Sequence, residues 1–64
     1  MTLYKAQFNW FGELHTFYRY YSTLRQAKRQ FFTLLGERVG YSLHRIRTHY
    51  AYTNSQAYLI KEVK

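Results

Sequence analysis

The sequence predicts an α+β fold of two layers, in which one helix packs on an antiparallel sheet. Three features indicate this class: strict apolar–polar alternation over residues 3–10, a second β-rich segment after Gly12, and an apolar stripe at helical spacing from residue 24 to 35. With 64 residues, the chain is expected to form one small domain spanning residues 1–64.

The first predicted element is a β-hairpin. Residues 3–10 alternate with a period of two, and residues 14–21 are rich in Thr, Phe and Tyr, which favour strands. Gly12 can adopt the positive φ of a tight turn, so we expect the turn at residues 11–12 or 12–13. Either turn creates one apolar face, which would hold Tyr4, Ala6, Phe8, Trp10, His15, Phe17 and Tyr21.

A helix is predicted to follow the hairpin. Thr23 and Gln26 have the spacing of a capping box, and Gly40 is a natural C-terminal stop. The apolar stripe of this helix comprises Leu24, Ala27, Phe31, Leu34 and Leu35. We expect the core of the domain to include Phe8, Trp10, Phe17, Leu24, Ala27, Phe31, Leu35, Ile46 and Ile60.

Two interpretations are open after Gly40. The β-rich composition favours strands over residues 43–52 and 56–63, joined by a turn around Thr53, Asn54 and Ser55, which gives the order ββαββ. The alternative is ββααβ, with a helix-turn-helix-like segment at residues 34–50. The spacing that supports it is that of Leu35, Gly36, Val39, Gly40 and Ile46.

Charge is the main indication of function. Ten Lys and Arg residues against three acidic residues give a net charge of +7, which favours an anionic partner, and nucleic acid above all. No apolar run is long enough to span a bilayer, and the N-terminal residues lack a signal-peptide pattern, so we expect a cytoplasmic protein with no membrane partner.

Catalytic and metal-binding patterns are absent from the sequence. There is no Asp and no Cys, and the three Glu residues are scattered along the chain, which disfavours paired-carboxylate, triad and thiolate chemistry. The three His residues lack the spacing of a zinc site, and there is no Gly-rich phosphate loop. We therefore expect no enzymatic activity, no metal and no cofactor.

Basic and aromatic residues form the candidate site. In the ββαββ interpretation, one sheet face combines cations with flat rings that can stack on bases, which predicts non-specific or single-stranded nucleic-acid binding through Lys5, Tyr18, Tyr20, Arg45, Arg47 and His49. A second basic cluster on the helix would extend this track through Arg25, Lys28 and Arg29. In the ββααβ interpretation duplex DNA is favoured, and the major-groove candidates are His44, Arg45, Arg47 and Thr48.

The segments KAQFNW (residues 5–10) and GELHT (12–16), with Tyr18, resemble small early-region proteins of phages that infect Gram-positive bacteria. This resemblance implies a phage origin, and hence the host cytoplasm, but no particular activity. The alternative function is that this small basic protein, of phage type, binds and modulates a host protein. A free sheet edge could also pair with a second copy and form a homodimer.

Overall fold

A computed structural model describes residues 1–52 and 57–64 and has an α+β architecture. Its elements are β1 (Thr2–Trp10), β2 (Glu13–Tyr21), α1 (Leu24–Val39), α2 (Leu43–Ala51) and β3 (Tyr58–Glu62). The strands form an antiparallel sheet in the order β2-β1-β3. The predicted fold class is confirmed, and the chain order is the alternative, ββααβ.

The hairpin has the predicted turn and facing. Trp10 pairs with Glu13, so the turn is Phe11-Gly12, whose φ angles of 50° and 86° are those of a type I′ turn. This register places Ala6 opposite Phe17. Because side chains alternate along each strand, the even residues of β1 and the odd residues of β2 share the face that the helices cover.

Helix α1 begins and ends where the sequence predicts. The Gln26 amide N–H donates to Thr23 Oγ1 (3.1 Å), and Gly40 adopts the left-handed conformation at the C-terminus. Ala27, Phe31 and Leu35 are buried, but Leu24 is 53% exposed and the prediction that it joins the core is wrong. Leu24 lies on the same side of α1 as the buried residues, but it is the first residue of the helix. Helical spacing alone does not show whether the sheet reaches far enough to cover the end of a helix.

Residues 43–51 form helix α2, so the strand expected over 43–52 is replaced by a helix. Ser42 caps this helix by accepting a hydrogen bond from the Arg45 amide, and Ile46 and Tyr50 lie one turn apart and are both buried. Burial of this pair outweighs the β-rich local composition. The last predicted strand is shorter than expected, and the turn predicted at Thr53–Ser55 lies outside the described residues.

Gly36 lets the connection between the helices pass close to α1. Its carbonyl accepts the amide N–H groups of Gly40 (2.8 Å) and Tyr41 (3.0 Å). A Cβ atom on Gly36 would lie 2.7 Å from the Tyr41 carbonyl oxygen, which is a backbone atom and cannot swing away. The absence of a side chain at Gly36 therefore permits the close approach of the connection that leads into α2.

The core is built mainly from aromatic rings around Phe8. The centroid of the Phe8 ring lies 5.4 Å from Phe32, 5.6 Å from Tyr50 and 5.9 Å from Tyr58. These rings join both helices and β3 to the central strand. The other predicted core residues are buried except Ile60, which is only partly buried.

The outer edge of β2 has no strand partner among the described residues. The carbonyl of Leu3 accepts the Val63 amide, so the odd residues of β1 direct their peptide groups toward β3. Tyr18 stands opposite Lys5, and its own peptide groups therefore point away from β1. The Arg19 guanidinium donates to the Tyr18 carbonyl at 2.7 Å and so occupies part of this edge.

Candidate nucleic-acid interface

The structure divides the residues that were predicted to share one sheet face. Lys5, Tyr18 and Tyr20 lie on the sheet face away from the helices, as expected. Arg45 and Arg47 are on α2, and so is His49, because residues 43–51 are helical. The predicted six-residue sheet site therefore does not form.

The bare sheet face, on the side away from the helices, is partly apolar. Across its middle, Lys5 of β1 stands between Tyr18 of β2 and Lys61 of β3, with Lys5 Nζ 5.7 Å from the centre of the Tyr18 ring. Lys5 and Lys61 stand directly opposite each other on neighbouring strands, so two like charges are held close together. This pair gives the face a local positive potential. Its exposed large side chains are Leu14, Tyr18, Tyr20 and Leu59.

A groove between the helices brings together four cations from two elements. Arg25, Lys28 and Arg29 lie at positions i, i+3 and i+4 of α1 and therefore share one side of the helix. Arg47 of α2 lines the same groove. We call this surface the basic groove and define it by Arg25, Lys28, Arg29 and Arg47.

The basic groove has a partly aromatic wall. Phe32 and Leu43 line it, and it continues past Arg47 to a second hollow that includes Tyr52 and Tyr58. Lys28 Nζ lies 5.8 Å from the centre of the Tyr58 ring, within the range of a cation–π contact. The surface therefore combines positive charge with flat rings, as the predicted sheet site was expected to do.

Among the described residues that line the basic groove, no carboxylate balances the positive charges. Arg25 and Arg29 have like charges at i and i+4, which typically costs a helix about 0.2–0.5 kcal/mol. Neither helix has an acidic residue in its first turn, where a carboxylate would stabilise the dipole. Among the described residues no carboxylate lines the groove, and the nearest acid on α1 is Glu37, near the other end. Within residues 1–52 and 57–64, no ion pair accounts for the clustering of these cations.

An aromatic hollow at the hairpin tip was missed by sequence reasoning. Phe11 is 76% exposed, and its ring centroid lies 4.9 Å from Trp10 and 5.2 Å from His49. The hollow is completed by α2 and the two residues before it, and it is lined by Trp10, Phe11, Tyr41, Ser42, His44, Arg45, Thr48 and His49. The available signal was an aromatic residue directly before a turn glycine, where Asn or Asp is more usual.

Tyr50 links α2 to the central strand. Its hydroxyl donates to the Asn9 carbonyl at 2.9 Å, and burial raises the pKa of Tyr50 to about 12. Burial also raises the pKa of Tyr21, although the nearby Arg19 acts in the opposite direction. Tyr50 is buried on the same side of α2 as Ile46, and Arg45, Arg47 and Thr48 remain exposed.

Comparisons with known proteins give no match: neither a protein-family model, nor a curated protein, nor a solved structure is significantly similar to this chain. The resemblance to phage early-region proteins stays a prediction from the sequence. Within residues 1–52 and 57–64, no three His, Cys, Asp or Glu side chains group together as a metal site would need. No helix in that part of the chain is both long and apolar enough to cross a membrane.

Proposed function

We propose that this protein binds duplex DNA through the basic groove and the exposed side of α2. The observation that carries this proposal is the convergence of Arg25, Lys28, Arg29 and Arg47 on one concave surface, with no carboxylate among the described residues that line it. Cations held together at a cost to the helix are explained by an external anion, and closely spaced phosphates supply one.

Duplex DNA is favoured over RNA by the shape of the surface. An α-helix fits the major groove of B-form DNA, whereas side chains cannot read the deep, narrow major groove of A-form RNA. Helix α2 is anchored on its inner side by Ile46 and Tyr50 and presents His44, Arg45, Arg47 and Thr48 outward. The Thr48 hydroxyl already donates to the His44 carbonyl (2.9 Å), so we expect it to contribute little to base recognition.

Two lysines provide a matched test of the groove against the bare sheet face. Lys28 lies 5.8 Å from a Tyr ring in the basic groove, and Lys5 lies 5.7 Å from a Tyr ring on the bare sheet face. We expect Lys28→Gln to weaken duplex binding and to reduce the salt dependence, log K against log[salt], by about 0.9 for the lost phosphate contact. Lys5→Gln should change neither. The measurement is salt-titrated anisotropy with a labelled duplex.

Arg47→Gln extends the test to α2 and should behave as Lys28→Gln does. A duplex RNA and a single strand of the same sequence serve as competing ligands and should bind more weakly than duplex DNA. Absence of binding at low salt would end the proposal. A larger effect of Lys5→Gln than of Lys28→Gln, with a preference for the single strand, would instead favour single-strand binding by the bare sheet face around Lys5, Tyr18 and Tyr20.

A second candidate function, binding of a host protein, is favoured by the bare sheet face. Tyr18 is 49% exposed and Tyr20 is 62% exposed, and aromatic residues with neighbouring cations are common at the centres of protein interfaces. Positive charge at Lys5 and Lys61 favours an acidic partner over a second copy of the same face. In nuclease-treated lysate, one protein should be retained by wild type and by Lys28→Gln but lost by Tyr18→Ala. Equal retention by all three would count against this candidate.

A further inference from the structure

The hairpin turn contains an aromatic residue in a conformation that disfavours it. Phe11 has φ of 50°, in the left-handed region, where the Cβ atom of an L-residue crowds the following carbonyl. Type I′ turns usually place Asn, Asp or Gly at this position. Phe11 is also 76% exposed, so burial does not compensate for the strain. Neither turn geometry nor core packing explains a Phe at this position.

The Phe11 ring is supported on one side by other rings. Trp10 meets it edge to face at 4.9 Å, and His49 lies 5.2 Å away at an interplanar angle of 41°. Trp10 is itself buried and contacts Tyr50 of the core, so the support is anchored in the fold. The ring is therefore held at the tip of the hairpin while most of its surface stays open to solvent.

The surroundings of Phe11 are cationic and aromatic. The hollow beside it contains Arg45 and His44 of α2, and the Arg45 guanidinium lies 5.2 Å from the Tyr41 ring. The carboxylate nearest in the sequence, Glu13, lies with Oε1 4.0 Å from His15 Nε2, and it does not line the hollow. A flat apolar ring next to the Arg45 cation, with no carboxylate among the described residues that line the hollow, suits a nucleobase attached to its phosphate backbone.

We propose that Phe11 is a wedge that stacks on a base of the DNA duplex held by α2, at a position where the base pair is mismatched or readily unstacked. This inference rests on the proposed function, because α2 and the hollow at the hairpin tip share Arg45 and His44. Apolar side chains inserted between base steps partly unstack the duplex, and unstacking costs least where pairing is already defective. The protein should therefore prefer distorted duplex to perfect duplex.

Fluorescence of 2-aminopurine tests the wedge directly. Two labelled duplexes of the same sequence are compared, one fully paired and one with a single mismatch beside the 2-aminopurine. Wild type should bind the mismatched duplex about tenfold more tightly, within the range expected for one base–aromatic stack, and should change its 2-aminopurine signal. Phe11→Asn should lose both effects while retaining the affinity of wild type for the paired duplex. Phe11→Tyr should keep both.

Phe11→Asn is expected to fold, because Asn-Gly is the preferred sequence of a type I′ turn. Tyr20→Asn, which removes an exposed ring from the bare sheet face, is the matched control and should discriminate as wild type does. Equal binding of both duplexes by wild type would overturn the wedge while leaving the proposed function standing. Equal loss for both duplexes in Phe11→Asn would also overturn it. Absence of binding to either duplex would overturn the proposed function and the wedge together.

Discussion

Phe17 and Tyr18 are neighbours on β2 but lie on opposite faces of the sheet. Phe17 is buried beneath the helices, and the Arg38 guanidinium lies 4.1 Å from the centre of its ring. Tyr18 is half-exposed on the bare sheet face, with Lys5 beside it. On the covered face, rings form the core, and the Arg38 guanidinium of α1 lies over one of them. On the bare sheet face, rings and cations stay at the surface, so loss of a ring there should cost less stability than loss of a ring from the core.

The largest expected difference between the faces is in stability. Phe31 is fully buried, and Phe31→Ala should lower the free energy of unfolding by roughly 3–5 kcal/mol. Tyr20→Ala on the bare sheet face should change it by less than about 0.5 kcal/mol. Denaturant unfolding followed by the fluorescence of Trp10, the single Trp, measures both. Similar losses in the two variants would mean that the bare sheet face is part of the core.

Gly36→Ala should have the next largest effect on stability, because it disturbs the connection that leads from α1 to α2. The new methyl group would meet the Tyr41 carbonyl oxygen at 2.7 Å, and we expect a loss of roughly 1–3 kcal/mol as the connection shifts. Glu37→Ala, at the next and exposed position of α1, is the control and should be nearly neutral. An unchanged thermal midpoint for Gly36→Ala would show that α2 is not held by this close approach.

Tyr50 should make the covered face sensitive to alkaline pH. Its pKa is about 12 in the folded protein against 10.0 for an ordinary Tyr, so the folded state favours the protonated hydroxyl. The resulting stability is fully present below pH 10 and is lost as pH rises through about 12. Tyr50→Phe removes the hydrogen bond to Asn9 and should cost roughly 0.5–1.5 kcal/mol at neutral pH.

The free energy of unfolding of wild type and of Tyr50→Phe should be measured from pH 9 to 12. This range contains the ordinary pKa of Tyr, 10.0, and reaches the raised pKa of Tyr50, about 12. Tyr50→Phe should lose less stability over this range than wild type does. Tyr21, whose pKa is also raised by burial, is present in both proteins and so does not affect their difference. Parallel pH profiles would show that the Tyr50 hydroxyl is not the group responsible.

The smallest expected effect is at the hairpin tip, which belongs to neither face. Phe11→Asn should raise the free energy of unfolding by up to about 1 kcal/mol, because Asn tolerates the left-handed conformation better than Phe. Thermal unfolding measures the gain, with Leu14→Asn as a control for removing an exposed apolar side chain from the hairpin. A loss of stability in Phe11→Asn would indicate that the Phe11 ring supports Trp10, rather than being available for a ligand.

The hairpin and α1 could be predicted from the sequence because local signals determine them. Alternation, the turn glycine and the Thr23 cap each act within a few residues, and the structure contains all three. Helix α2 could not be predicted with the same ease, because its residues favour strands locally and its helical state depends on burying Ile46 and Tyr50 against distant rings.

The candidate site was predicted in its residue types but not in its arrangement. Arg25, Lys28 and Arg29 share a helix face, and this follows from spacing alone. Their juxtaposition with Arg47 follows from the packing of α2 on α1, which no local pattern encodes. Phe11 was overlooked because an exposed ring at a turn contributes nothing to periodicity.

Arg19 sets a limit on how this domain can associate. A bare strand edge nine residues long would ordinarily invite further strands and, at high concentration, ribbon growth. A further strand that paired with β2 would have to displace the Arg19 guanidinium from the Tyr18 carbonyl. The positive charge of Arg19 would then lie beside the newly formed strand pair, where it loses contact with water. The residue therefore acts as a gatekeeper. Addition of a strand at the β2 edge should therefore be disfavoured, and any homodimer is expected to use a different surface.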